Sequence, residues 1–454
     1  MKTKKLSKAK ELCSLLMFAV ILFASCKKDI NNETGVPTVS ANSQIVTAPK
    51  DGGSIAIDWY NLQLQMILQA NPTVSNLAAI RLFGYSGISL FEAARFEIRN
   101  SISLQKQLNQ MPVIPVPDTS KKYSWVVSAN AAMANITRDL FPGLTAANHA
   151  SIDSLEKAYN DKVTAKSGAE VVARSQTFGD SVAAIIYRWA QADLFNHAGD
   201  PYTPPVGPGL WVPTPPLYAP AAAPYMGNCR PFLKIHSNGV TMKPPRNYSE
   251  EKGSDFYQMA NHNYNVSKSL TDDQKNIAFF WNDVGAGIGY TPMGHNISII
   301  NQVLKKSNAT LATAEEAYVK SGIAMWDATI ECWRSKYKYN QLRPVTYIKK
   351  FIDSTWLPLL TTPAHPEYPA AHAYITSATM QVLTTVLGVH YAFTDHTYDF
   401  RGFAPRSYTS FEDAAKECGE SRVYGGIHYQ QSVDIGHVYG ESIGKDAAAV
   451  ELTK

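Results

Sequence analysis

Five residues in the last third of the chain have side chains that belong together chemically: Lys336, Arg343, His372, Arg422 and His428. Three fixed cations and two imidazoles suit one tetrahedral oxyanion. Arginine guanidinium groups fork onto paired oxygens, and a lysine adds a point charge. One histidine can attack or ligate the central atom while the other carries protons. Singly, each has a plainer reading: two cations on a solvated helix face, and histidines packed in a core. Lys336, however, sits among Trp326, Trp333 and Tyr337, which points to burial. A buried cation needs an anion.

Three segments must position these groups. In SKYKYNQLRPVTYI, Lys336 and Arg343 are seven residues apart, so one helix face carries both, and Pro344 ends that helix. The stretch TTPAHPEYPAAHAY at 361–374 holds three prolines and two histidines before a helical pattern. It reads as a rigid turn delivering His372 to a helix start. In GESRVYGGIHYQQSVDIGHVYG, Arg422 ends a helical pattern, Gly425 and Gly426 break it, and His428 follows.

Amphipathic helical patterns fill most of the remainder, over 56–70, 75–99, 123–141, 145–163, 168–195, 250–265, 272–284, 293–306, 311–342, 371–389, 411–424 and 431–449. Sustained strand alternation is scarce, and no fixed-period repeat occurs. The long exception is 196–248, rich in Pro, Gly and aromatics, a loop length that usually marks a functional or covering segment. The expected fold is all-α, with helical bundles forming one domain over 55–454 and a long Pro-rich loop.

The formal net charge is +4, and the first eleven residues carry five lysines against one glutamate, so the rest of the chain is neutral. Such a balance gives no basic surface for nucleic acid. An apolar run, LCSLLMFAVILFAS, follows the basic start and is too short to span a bilayer comfortably. Ala24 and Ser25 then precede Cys26. The pattern resembles a bacterial lipoprotein leader over 1–25, with Cys26 lipidated and 26–54 a flexible tether; Phe23 departs from the usual residue. The expectation is an exported protein held at the cell-envelope membrane through its lipid anchor alone. Cys229, Cys332 and Cys418 have no zinc spacing and allow at most one disulfide.

The three pieces, Lys336…Arg343-Pro344, Pro369-Ala370-Ala371-His372 and Ser421-Arg422…His428, resemble the shared motif of the vanadium-dependent haloperoxidases and the type 2 phosphatidic acid phosphatases. GLWVPTPP, FFWNDVGAGIGYTPMGH and WDATIECWRSKYKYNQLRP extend the likeness to soluble bacterial members, over roughly 55–450. The resemblance implies that His428 bonds to vanadium and that Lys336, Arg343 and Arg422 neutralise vanadate oxygens. His372 would act as acid and base, and Lys336 would polarise peroxide. Hydrogen peroxide and halide would be the substrates. In the phosphatase alternative His428 attacks phosphorus and His372 protonates the leaving alkoxide of a small phosphate ester, with phosphate in the place of vanadate. A third reading is a catalytically degenerate anion- or glycan-binding surface lipoprotein.

Two departures stand out. Ala370 replaces a serine whose hydroxyl bonds the oxyanion, and Ala371 replaces a glycine whose N–H approaches it. Ser432 stands where the family has an aspartate orienting the ligand histidine. Either Asp434 substitutes or the orienting group lies elsewhere. The resemblance also places His365 on the halide side, favouring bromide or iodide; its plainer reading is a proline-turn cap. Asp327 and Trp333 read as packing or supporting groups, and His295 is undecided.

Overall fold

The computed structural model describes residues 53–283 and 288–454. The leader, Cys26 and nearly all of the tether lie outside the described residues. Thirteen α-helices and one two-stranded ribbon occur among the described residues. The first five helices are α1 (Ser54–Gln69), α2 (Asn76–Ala94), α3 (Trp125–Leu140), α4 (Ala146–Ser167) and α5 (Ala169–Gln191). After the Pro-rich segment come α6 (Asp255–Lys268), α7 (Asp272–Phe280), α8 (Pro292–Lys306) and the long α9 (Leu311–Tyr339). The chain closes with α10 (Pro344–Phe351), α11 (Ala371–Leu387), α12 (Phe411–Tyr424) and α13 (Gln430–Ala448). The ribbon pairs β1 (Phe393–Asp395) with β2 (Arg406–Tyr408) antiparallel, Phe393 opposite Tyr408.

Helix α9 is the central post. It packs against α2 on one side and α11 and α13 on the other, and Leu311 to Lys336 is almost wholly buried along it. A helix buried on every face must be surrounded by other elements, and its buried Asp327 and Glu331 bond to the segment lying along it. Helices α11 and α13 meet through glycine: a Cβ on Gly440 would stand 2.1 Å from the Tyr374 carbonyl oxygen, and one on Gly444 2.5 Å from that of Ala378. The absent side chains let the two backbones touch, which clamps the start of α11 against the chain entering α13.

One sequence expectation is corrected. Helix α9 does not run to 342 with Lys336 and Arg343 on one face. It stops at Tyr339, where Asn340 adopts the left-handed conformation (φ 47°) and its N–H bonds back to the Lys336 carbonyl at 2.8 Å. Asparagine tolerates that cap. Residues 340–342 then pair with 209–211 of the Pro-rich loop, Trp211 N–H donating to Asn340 O at 2.7 Å and Leu342 N–H to Gly209 O at 3.0 Å. Pro344 starts α10 rather than ending α9, because a first-turn position has no N–H to lose. Helix α7 likewise ends at Phe280, ahead of the expected 284.

Segment 196–248 contains only single-turn helices and lies along α9. The Asp327 carboxylate accepts from the Phe232 and Leu233 amides and from His236, so it is an anchor for this segment. The three described cysteines are free and buried.

Candidate active site

The prolines at 363, 366 and 369 take away N–H donors and leave carbonyls that need partners. Two cations supply them. The Lys336 ammonium donates to the carbonyls of Pro366 (3.1 Å), Glu367 (3.0 Å) and Pro369 (2.5 Å). Arg343 Nε donates to His365 O at 2.9 Å, and its Nη2 donates to His365 Nδ1 at 3.0 Å. The turn is thus built around the same cations that face the site, although the two leave different elements.

The second arm is the return from α12. Gly425 N–H bonds to Ser421 O and Ile427 N–H to Arg422 O, and Gly426 sits at φ +74°, a conformation that favours glycine. This cap folds His428 back over Arg422 and under Arg343. Arg343 Nη1 donates to Ile427 O at 2.7 Å and to His428 Nε2 at 3.1 Å.

Because a guanidinium can only donate, His428 Nε2 carries a lone pair and Nδ1 carries the proton. That proton goes to Glu367 Oε1 at 2.9 Å. Glu367 also accepts from Tyr429 N–H at 3.0 Å and from the Ser432 hydroxyl at 2.6 Å. Asp434 is not in this arrangement: it is exposed and accepts from Gln430 at 3.0 Å. The orienting carboxylate is Glu367, which sequence reasoning missed, although it is the only acid in the 361–374 stretch.

His372 lies in the first turn of α11. The first intrahelical bond there runs from Tyr374 N–H to Ala370 O, leaving the amides of Ala371, His372 and Ala373 at the positive end of the helix dipole. Ala370 N–H is used by Ser432 O at 3.1 Å. His372 Nε2 stands 3.7 Å from Asp283 Oδ2, beyond hydrogen bonding, and both atoms are buried without partners. The other Asp283 oxygen accepts from His295 Nδ1 at 2.9 Å and from the Tyr398 hydroxyl. His295 Nε2 donates to Asp395 at 2.7 Å, and its ring stacks on Trp281 at 4.2 Å. Held between two carboxylates, His295 has its pKa raised to about 10 despite complete burial.

Arg422 is 3% exposed; its Nη donates to the Trp281 carbonyl at 2.9 Å, while its Nε is buried and has no partner. Desolvation brings Lys336 down to about 8 and Arg343 to about 10. Burial, reinforced by the neighbouring cations, pushes His365, His372 and His428 well below the usual imidazole range. Burial raises the Glu367 carboxyl, but the Ser432 hydroxyl and the cations oppose it. His365 packs beside Trp333, ring centroids 5.2 Å apart. The structure therefore gathers Lys336, Arg343, His365, Ala370, Ala371, His372, Arg422 and His428, and it leaves out Asp434 and Asp327.

A bacterial vanadium-dependent iodoperoxidase of known structure is 30% identical, with 90% of this chain and 99% of that chain covered and a TM-score of 0.80. The chain belongs to the vanadium haloperoxidase family. Residues 316–453 match the family model of the VCPO second helical-bundle domain. The holo form of a bacterial vanadium-dependent chloroperoxidase shares the fold at 16% identity, covering 85% of this chain and 94% of that one with a TM-score of 0.62. A search among curated proteins returned no match. The helical haloperoxidase fold expected from the sequence is thereby established.

The donor set fits a vanadate anion. Arg422 Nε is an orphaned buried donor, the amides opening α11 are a ready anion cradle, and His428 Nε2 carries the lone pair of a neutral ring, which Arg343 would yield to a bound anion. Ala370 contributes no side-chain donor to that cradle.

Proposed function

We propose that this haloperoxidase holds vanadate at His428 and oxidises halide with hydrogen peroxide, bromide or iodide ahead of chloride. The observation that carries the reading is His428 itself: a neutral imidazole with Nε2 facing Arg343 and Nδ1–H held by Glu367, its lone pair among three buried cations. When bound, vanadate supplies the Lewis acidity that makes peroxide electrophilic toward halide.

The protein's own residues do the rest. Arg422 Nε, the remaining Arg343 N–H and the α11 amides would hold the oxygens. Lys336 contributes charge, since its three donors are bound to turn carbonyls. Neutral His372 takes a proton from incoming peroxide at Nε2, and Asp283 Oδ2 across 3.7 Å stabilises the imidazolium. His365, with Nδ1 accepting from Arg343, presents Nε2–H beside Trp333; that polar wall supports bromide or iodide. The Cys26 leader pattern supports an exported, lipid-anchored protein, tested by labelling with a fatty-acid probe that Cys26→Ser should abolish.

The decisive assay is peroxide-dependent oxidation of bromide and iodide, with and without orthovanadate. Activity that needs vanadate and vanishes in His428→Ala is expected. Turnover of p-nitrophenyl phosphate inhibited by vanadate, with no halide oxidation, would overturn the reading in favour of phosphomonoester hydrolysis.

A further inference from the structure

Four buried polar groups converge behind His428. Its Nδ1–H, the amide of Tyr429 and the hydroxyl of Ser432 all donate to one carboxylate, Glu367, which is itself fully buried. The backbone at 367 is fixed from both sides, its N–H donating to Gln341 O at 2.9 Å and its carbonyl accepting from Lys336. A buried carboxylate that accepts three hydrogen bonds is held in one orientation. It leaves His428 no freedom to turn over or to move its proton to Nε2.

We infer that Glu367 is the positioning residue of the anion site, holding His428 from the turn before α11 with Ser432 as its partner. The inference rests on vanadate binding at His428, but its structural half concerns the Nδ1–H hydrogen bond alone. Ser432 Oγ lies 2.6 Å from Glu367 Oε2, so a carboxylate grown from position 432 reaches the space that Glu367 now fills. Asp434 is placed to do nothing of the kind, being exposed and engaged with Gln430.

The test uses the purified protein and three variants: Glu367→Ala, Glu367→Gln and the double variant Glu367→Ala/Ser432→Asp. Orthovanadate affinity is measured by calorimetry, and the hydrogen bonding of His428 Nδ1–H by nitrogen-15 NMR without vanadate. Loss of a group that orients a metal-ligating histidine costs about 10–100-fold in affinity. Glu367→Ala is expected to weaken orthovanadate by that factor and to leave Nδ1–H without its acceptor, seen as a shifted Nδ1 resonance. Glu367→Gln can still accept from Nδ1–H, so it keeps the hydrogen bond and the fold while losing the charge, and it falls between. The double variant is expected to restore both the hydrogen bond and most of the affinity.

An unshifted Nδ1 resonance in Glu367→Ala would overturn the inference, as would unchanged affinity in Glu367→Ala or no recovery in the double variant. If the wild-type protein fails to bind orthovanadate, the functional reading falls, while the Nδ1–H measurement still decides the role of Glu367.

Discussion

Ala370→Ser is the most informative single substitution. Position 370 is the N-cap of α11, extended at φ −73° and ψ 112°, and fully buried beside Ala373, Val423 and Val433. A serine there can do two things at once. Its oxygen can accept from an orphan N–H of the first turn, worth about 0.5–2 kcal/mol relative to alanine. Its hydroxyl can donate to an anion held by the same turn. A hydrogen bond to a charged group is worth about 1.5–3 kcal/mol, and each 1.4 kcal/mol is about tenfold in affinity. Ala370→Ser should therefore bind orthovanadate about tenfold to a hundredfold more tightly, by calorimetry at fixed pH. Without vanadate it should be more stable to urea by the capping term. The reasoning is refuted if the affinity changes by less than about twofold in a folded variant. Lost stability would refute the capping half, because a hydroxyl turned toward Val423 and Val433 is a buried polar group without a partner.

Gly440→Ala puts a methyl 2.1 Å from the Tyr374 carbonyl, against backbone that cannot rotate away. It should cost about 1–3 kcal/mol or more in urea unfolding, and lower vanadate affinity by parting α11 from α13. Asp434→Ala should leave halide oxidation and vanadate affinity unchanged, since that carboxylate is exposed and bonds to Gln430 rather than to His428. The pKa of His295 is raised above its unfolded value, to about 10. Its stabilisation is therefore complete below about 6.5 and is lost as pH climbs toward 10. The stability gap between wild type and His295→Gln, measured by urea, should shrink over that window.

The helices were readable from their helical periodicity, and 411–424 falls on α12 as expected, although the helix expected over 75–99 ends at Ala94. What escaped was decided by pairings distant in sequence. Asn340 leaves the helix because residues 209–211 offer its neighbours a bridge, and nothing local to 336–343 says so. Pro344 was read as a stop because proline signals a boundary, yet the same residue suits a first turn equally well. The motif cations and histidines could be named from spacing. Their carboxylate partners could not: Asp283 and Asp395 lie far from His372 in sequence, and His295 gains meaning only between them. Glu367 left a signal, since it is the only acid in the Pro-rich stretch 361–374.

The presence of Lys336 and Arg343 is weak evidence for chemistry on its own. Both hold the 363–369 turn together, with at least five bonds to its carbonyls, to His365 or to the chain before His428. A protein that had given up catalysis would still need them to fold this segment. A working site needs atoms left over for a ligand. Arg422 Nε, His372 Nε2 and Asp283 Oδ2 are buried without hydrogen-bond partners, the last two 3.7 Å apart, and a buried group left so costs about 1–3 kcal/mol. A bound oxyanion supplies acceptors for the arginine, and a proton on His372 supplies the partner for Asp283. The two pairs His428–Glu367 and His372–Asp283 then divide the work, one fixing a lone pair on the central atom and the other moving a proton beside it.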